Sequence, residues 1–210
     1  MYLSGKTEQY FANPDAFGCM FSYRKTGGQD AALAQGCHWM LDNGAYTNQF
    51  DFRRWVAQLA LLMPYRANCI GIIVPDVPYN AAATLARFQQ YSAIPQALGF
   101  PVALASQNGM TAKDLPLESF DVLFVGGDNA HKRGREAVEL AMAAKAHGKK
   151  IHVGRVSSVY SMTKFFSWAD SWDGTTFVFG TQNERENKAE AMAAAILRLK
   201  KSKTIQWSLL

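Results

Sequence analysis

The chain has 210 residues, 49% of them hydrophobic and 19% charged, with a formal net charge of +5 and a pI near 9.1. That is enough apolar material for one domain with a substantial core, and the basic bias permits nucleic-acid binding without deciding it. No apolar run approaches the roughly 18 residues of a membrane span, and Met1-Tyr2-Leu3-Ser4-Gly5-Lys6 lacks the apolar core of a signal peptide, so the expected location is cytoplasmic.

Tyr2-Leu3-Ser4 reads as a first strand, followed by a short helix before Asn13-Pro14. Residues 17–23 read as a second strand, with Arg24 and Lys25 at its end, a Gly27-Gly28 loop and a short helix over 30–35. His38-Trp39-Met40-Leu41-Asp42 is a buried strand ended by Asn43-Gly44, which leaves Asp42 where the chain turns out of the core. Asp51 opens a helix with Phe52, Trp55, Val56, Leu59, Leu62 and Met63 on one face. Strand four, residues 70–74, leads to Pro75-Asp76. Asn80 caps a long helix that ends near Gly99. Strand five, 102–105, leads to Ser106-Gln107-Asn108-Gly109, and a Pro-interrupted segment over 113–117 replaces a full helix. Strand six, 122–125, leads to Gly126-Gly127-Asp128, then a helix over 135–147. Strand seven, 151–153, leads to Gly154-Arg155 and a helix over 159–168. Strand eight lies near 171–176, and a last helix spans about 184–200.

Eight strand-then-helix units joined by short loops predict a parallel sheet, closed as one compact α/β domain over residues 1–210, a (β/α)8 barrel of TIM type. An open doubly wound sheet is the alternative, weakened by the lack of a Gly-x-Gly-x-x-Gly after the first strand. A barrel gathers its strand ends at one mouth, here Asp42, Asp76, Gln107, Gly126, Gly127, Asp170 and Asp173. Several carboxylates in one cleft suit covalent and acid–base chemistry at a sugar carbon, one attacking and another moving a proton. Alternation along an extended strand points residues 170 and 173 to opposite faces. Asp173, next to Gly174 at the corner, is therefore expected at the mouth, and Asp170 in a structural role within the wall. The run His131-Lys132-Arg133-Gly134-Arg135, expected at a helix N-terminus, offers phosphate contacts together with Arg155, Arg24 and Lys25. Cys19, Cys37 and Cys69 are widely spaced with no Cys-x-x-Cys pair, so reduced core thiols and no metal site are expected.

These motifs resemble, in order, those of the tRNA-guanine transglycosylases. Leu41-Asp42-Asn43-Gly44-Ala45-Tyr46 is similar to that family's Asp-Ser-Gly-Gly-(Phe/Tyr), and Val74-Pro75-Asp76 to its base-recognising Asp. Ala105-Ser106-Gln107-Asn108-Gly109 resembles its Val-Gln-Gly, Val125-Gly126-Gly127 its Val-Gly-Gly, and His152-Val153-Gly154 its Met-Gly-Val-Gly. Ala169-Asp170-Ser171-Trp172-Asp173 resembles its Val-Asp-Met-Phe-Asp, whose final Asp is the nucleophile. The likeness runs over residues 2–177. The family's zinc-binding Cys-x-Cys-x-x-Cys…His insertion is absent, Asn43 and Ala45 replace Ser and Gly, and Gly174-Thr175-Thr176 replaces Leu-Pro-Thr-Arg. A compact, zinc-free chain is most similar to the DpdA-type transglycosylases, common in phages, which place 7-deazaguanines into DNA.

The resemblance implies a base exchange without cofactor, on DNA in preference to tRNA, with a free 7-deazaguanine as second substrate. It implies that Asp173 attacks C1′ and that Asp42 is the general acid–base. It implies that Asp76 reads the N1–H and 2-amino edge of the base, and that Gln107 and the Gly127 N–H contact the O6 side, with Gly126 beside them. Tyr46 or Tyr79 is expected to stack on the base. A nucleoside or glycoside hydrolase and a non-catalytic nucleic-acid-binding barrel are the competing expectations.

Overall fold

A computed structural model describes residues 1–207 except 6, 25–28, 48, 49, 166 and 178, and omits the side chains of 47 and 202–207. Lys25, expected to contact phosphate, lies outside the described residues. The strands are β1 (Tyr2–Ser4), β2 (Phe17–Ser22), β3 (Trp39–Asp42), β4 (Cys69–Ile73), β5 (Val102–Ser106), β6 (Val122–Val125), β7 (Lys150–Val153) and β8 (Ser171–Gly174). Each pairs in parallel with the next, and β8 returns to β1 in the register Tyr2↔Trp172, Leu3↔Asp173, closing the barrel. The helices are α1 (Thr7–Ala12), α2 (Asp30–Ala34), α3 (Phe52–Leu62), α4 (Ala81–Tyr91), α5 (Ala93–Ala97), α6 (Asn129–Arg133), α7 (Arg135–Ala146), α8 (Val159–Phe165) and α9 (Gln182–Trp207). The expected (β/α)8 barrel is the observed fold.

Strand alternation divides the apolar residues between two packed regions. Tyr2, Phe17, Phe21, Trp39, Leu41, Ile72, Leu104, Leu123, Ile151 and Trp172 point outward into one continuous layer beneath the helices. Leu3, Met40, Ile73, Ala103, Ala105 and Val122 point inward and fill the barrel. The interior is narrow. A Cβ on Gly71 would meet Ala103, Met40 and Val122 at 3.3 Å, and one on Gly154 would enter the Phe124 ring. Small residues at these points let the large inward side chains stack in layers.

Two aspartates tie the amino-terminal ends of the strands. Asp121 Oδ2 accepts the Val102 N–H at 2.8 Å, joining β6 to β5. Asp170 Oδ2 accepts the Ile151 N–H at 2.8 Å, joining β8 to β7, with Lys145 Nζ 3.4 Å from its other oxygen. Asp51 and Asn80 cap α3 and α4 by accepting the N–H groups of Arg54 and Ala83.

Three expectations about the helices need correction. The long helix after Asn80 is two helices. Pro95 has no N–H to give the Tyr91 carbonyl, so the ladder breaks and restarts beyond Ser92. The run 131–135 is not one helix N-terminus. Asp128 caps a separate short helix, α6, through the His131 N–H at 2.8 Å, and Gly134 divides it from α7. The helix expected over 159–168 ends at Phe165. No helix among the described residues is long and apolar enough to cross a membrane. All three cysteines are free and buried.

Candidate active site

The carboxyl ends of the strands enclose a cavity of about 450 Å3 lined by Asp42, Asp76, Gln107, Tyr46, Arg155 and Asp173, among others. Asp42 and Asp173 are inward residues of β3 and β8, and Asp76 leaves β4 on its first loop. Three carboxylates from three strands therefore share one hollow floored by Leu3, Ile73 and Ala105.

Their surroundings separate them. Asp42 accepts a long backbone hydrogen bond from the Gly44 N–H, at 3.3 Å. Burial, and the nearby charges of Asp173 and Asp76, push its carboxyl up from 3.8 to about 6. Asp76 is clamped by two amides. Asn43 Nδ2 donates to its Oδ1 at 2.9 Å and Gln107 Nε2 to its Oδ2. Burial still raises its pKa, against the opposing pull of those two donors. Asp173 is held by the Arg155 N–H, 2.7 Å from Oδ1, and by His152 Nε2, 3.2 Å from Oδ2. His152 is fully buried, stacked on Phe124 at 5.1 Å, and its Nδ1 lies 2.8 Å from Ser171 Oγ. With Nε2 protonated, the ring donates to Asp173 while Nδ1 accepts the Ser171 hydroxyl.

Gln107 plays a different part from the one expected. Its Oε1 accepts the Tyr79 N–H at 2.8 Å and the Gly127 N–H at 3.0 Å, which fixes the amide orientation and turns Nε2 toward Asp76. The Gly127 N–H is thus engaged with Gln107 and not free for a base. Gln107 instead ties the loops after β4, β5 and β6 together around Asp76. Gly126 lies against it so closely that a Cβ there would come 2.9 Å from Nε2.

Tyr79 and Arg155 both adopt left-handed backbone, with φ of 65° and 57°. Such conformations cost roughly 1–3 kcal/mol in non-glycine residues and persist where the surroundings enforce them. At the rim, Tyr79 Oη lies 3.4 Å from Tyr46 Oη, and the Arg155 guanidinium sits 4.8 Å from the Tyr46 ring centroid. Tyr46 is 63% exposed, so this rim of the cavity is open to solvent.

The expected cations do not form one surface. Arg135 pairs with Glu139 at 2.6 Å on the outer face of α7, and Arg24 rests 5.8 Å from the Tyr23 ring; neither lines this cavity or the one adjoining it. Lys132 is not a solvated contact but 4% exposed, with Nζ donating to the Gly154 carbonyl at 3.0 Å. Lys132, Arg133 and Arg155 line a second cavity of about 500 Å3 that adjoins the first. Asp170 is remote from both, at the opposite end of its strand.

His152, Ser171 and Asn43 are the site residues that sequence reasoning missed. The signal for His152 was parity. It alternates with the outward Ile151 and Val153, is the buried polar residue of β7, and lies level with Ser171 in the next strand.

No family model matches the chain, and no curated protein matches it. Among solved structures, tryptophan synthase from M. tuberculosis is similar, with a TM-score of 0.55 at 14% identity over 93% of this chain and 90% of that chain. A protein classed with the mandelate racemase/muconate lactonizing enzymes, from Sorangium cellulosum, gives 0.51 at 18% identity over 84% of this chain. The match spans 53% of that protein. Both likenesses show the barrel fold alone, and the transglycosylase resemblance rests on the motifs.

Proposed function

We propose that this barrel is an enzyme, a base-exchange transglycosylase that replaces guanine in nucleic acid, DNA in preference to tRNA, with a 7-deazaguanine. The observation that carries the reading is the gathering of Asp42, Asp76 and Asp173 in one cavity, each in an environment suited to a different task.

The chemistry proceeds in two displacements. An Asp173 carboxylate oxygen attacks C1′ and the C1′–N9 bond breaks, its electron pair leaving with guanine. Asp42, with a pKa near 6, supplies the proton to the departing base. The sugar remains as an ester of Asp173. The N9–H of the incoming 7-deazaguanine then gives its proton to Asp42, N9 attacks C1′, and the ester bond breaks to restore the Asp173 carboxylate. Two inversions retain the configuration. The Arg155 N–H and His152 orient the attacking carboxylate. Asp76 accepts hydrogen bonds from the N1–H and 2-amino group, a donor pair that adenine does not present. A duplex hides the glycosidic bond, so the target nucleotide is flipped out or single-stranded.

The test is an exchange assay. Enzyme is incubated with guanine-containing DNA or RNA and labelled guanine, and label is sought in polymer. Label in DNA supports the reading, and label in tRNA moves it to the tRNA enzymes. Free sugar ends without label would identify a hydrolase, and retention on polymer without either would identify a binding barrel.

A further inference from the structure

The two adjoining cavities carry opposite charge. The first is lined by three aspartates, whereas no carboxylate lines the second among the described residues. Lys132 reaches the second from α6, Arg133 follows it, and Arg155 comes from the loop after β7. Ser157 and Thr175 add hydroxyl donors from the loops after β7 and β8. A lysine ammonium has three N–H donors. The Gly154 carbonyl takes one, and no other acceptor lies within hydrogen-bond reach of Lys132 among the described residues. No ion pair engages Arg133 or Arg155 there either. The site is thus built to receive an anion with several acceptor oxygens.

We propose that this second cavity is a phosphate subsite, which holds the phosphate attached to the nucleotide whose base occupies the first cavity. The inference rests on the base-exchange reading for the identity of that nucleotide. Arg155 joins the two hollows. Its N–H holds Asp173 on one side, and its guanidinium, bonded to the Gly127 carbonyl and laid against Tyr46, borders the other. A sugar bound at Asp173 therefore has base and phosphate on opposite sides, and the charges sort them: a phosphate is repelled from the three carboxylates and drawn to the three cations. Burial and the neighbouring Arg155 charge lower the Lys132 pKa to about 8, a strain that a bound phosphate relieves. The loops after strands seven and eight are also where barrels of this type recurrently bind phosphate.

Calorimetric titration with deoxyguanosine, its 3′- and 5′-monophosphates, inorganic phosphate and free guanine tests the site. At least one monophosphate is expected to bind roughly tenfold or more tighter than deoxyguanosine, the scale of a charge-assisted hydrogen bond. Arg133→Ala and Ser157→Glu are exposed changes that spare the fold, and each should remove most of that gain, as should Lys132→Met. A guanine-containing oligonucleotide with one neutral methylphosphonate linkage separates the sources. Weaker binding when the linkage beside the target is neutral assigns the site to the polymer backbone, and binding confined to monophosphates and inorganic phosphate assigns it to free nucleotides. Equal affinity with and without phosphate, or a gain untouched by all three variants, overturns the subsite. Guanine that binds with no phosphate gain overturns the subsite and leaves the base-exchange reading intact. A phosphate gain that depends on Arg133, without any guanine binding, upholds the subsite and overturns that reading.

Discussion

Asp42→Asn should make the protein more stable and inactive, and the stability gain should depend on pH. The carboxyl titrates near 6 in the folded chain against 3.8 unperturbed. Because the folded value is the higher one, the folded state binds more protons between those pH values. Stability is therefore full below about pH 4, falls as pH rises through 6, and is flat above. The difference of roughly two pH units corresponds to about 3 kcal/mol at most. The amide is nearly isosteric, keeps an oxygen for the Gly44 N–H, and has no charge to bury.

The variant should accordingly exceed the parent by about 1–3 kcal/mol near pH 8 and by under about 1 kcal/mol near pH 4. Urea unfolding followed by tryptophan fluorescence at both pH values reads this directly. Exchange activity should fall by roughly 100- to 10,000-fold, the usual contribution of general acid–base catalysis. A stability difference that is the same at both pH values, or a variant weaker than the parent near pH 8, would refute the argument that burial and the other two carboxylates destabilise the ionised form.

Asp173→Ala should abolish the covalent protein–nucleic acid band on denaturing gels when no acceptor base is present, while Asp170→Ala keeps it; the reverse pattern would exchange their roles. Asp170→Ala should instead lower stability by about 1–3 kcal/mol in urea unfolding, because the Ile151 N–H loses its acceptor. Asp76→Asn should weaken 7-deazaguanine binding by about 1.5–3 kcal/mol or more, measured by calorimetry, since it turns an amide donor toward ring donors. His152→Phe should lower the rate of adduct formation more than base affinity, a split that single-turnover kinetics and calorimetry together resolve.

Much of the scaffold was legible because its signals are local. Short apolar runs mark the eight strands, and the Asn-Gly, Pro-Asp and Asp-Gly pairs that end three of them place Asp42, Asp76 and Asp173 after or at their carboxyl ends. Asp51 and Asn80 announced their helices in the same way. What stayed hidden depends on partners distant in sequence. Gln107 looks like a reader of ligands until the N–H groups of Tyr79 and Gly127 are seen on its oxygen. Asn43 looks like a turn residue until Asp76 lies beside it. The basic run looked uniform, yet the break at Gly134 puts Lys132 on α6, turned inward, and Arg135 on α7, turned outward, and the loop after β7 supplies the carbonyl that receives the lysine.

The same residue type serves opposite ends of the barrel for opposite reasons. At the amino-terminal ends Asp121 and Asp170 each accept a backbone N–H at 2.8 Å from the neighbouring strand, which strengthens the closure. At the carboxyl ends Asp42, Asp76 and Asp173 are crowded, and charge on Asp173 and Asp76 adds to burial in raising the cost of charge on Asp42. Two of the three are compensated locally, Asp76 by Asn43 and Gln107, Asp173 by the Arg155 N–H and His152. Asp42 has only backbone N–H groups to lean on, that of Gly44 at a long 3.3 Å, and burial raises its carboxyl to about 6, close to neutral pH. On the proposed base-exchange reading that imbalance marks the proton carrier: three carboxylates share one hollow, side-chain and backbone donors hold Asp76 and Asp173 in place, and Asp42, raised by burial to about 6, takes and releases the proton.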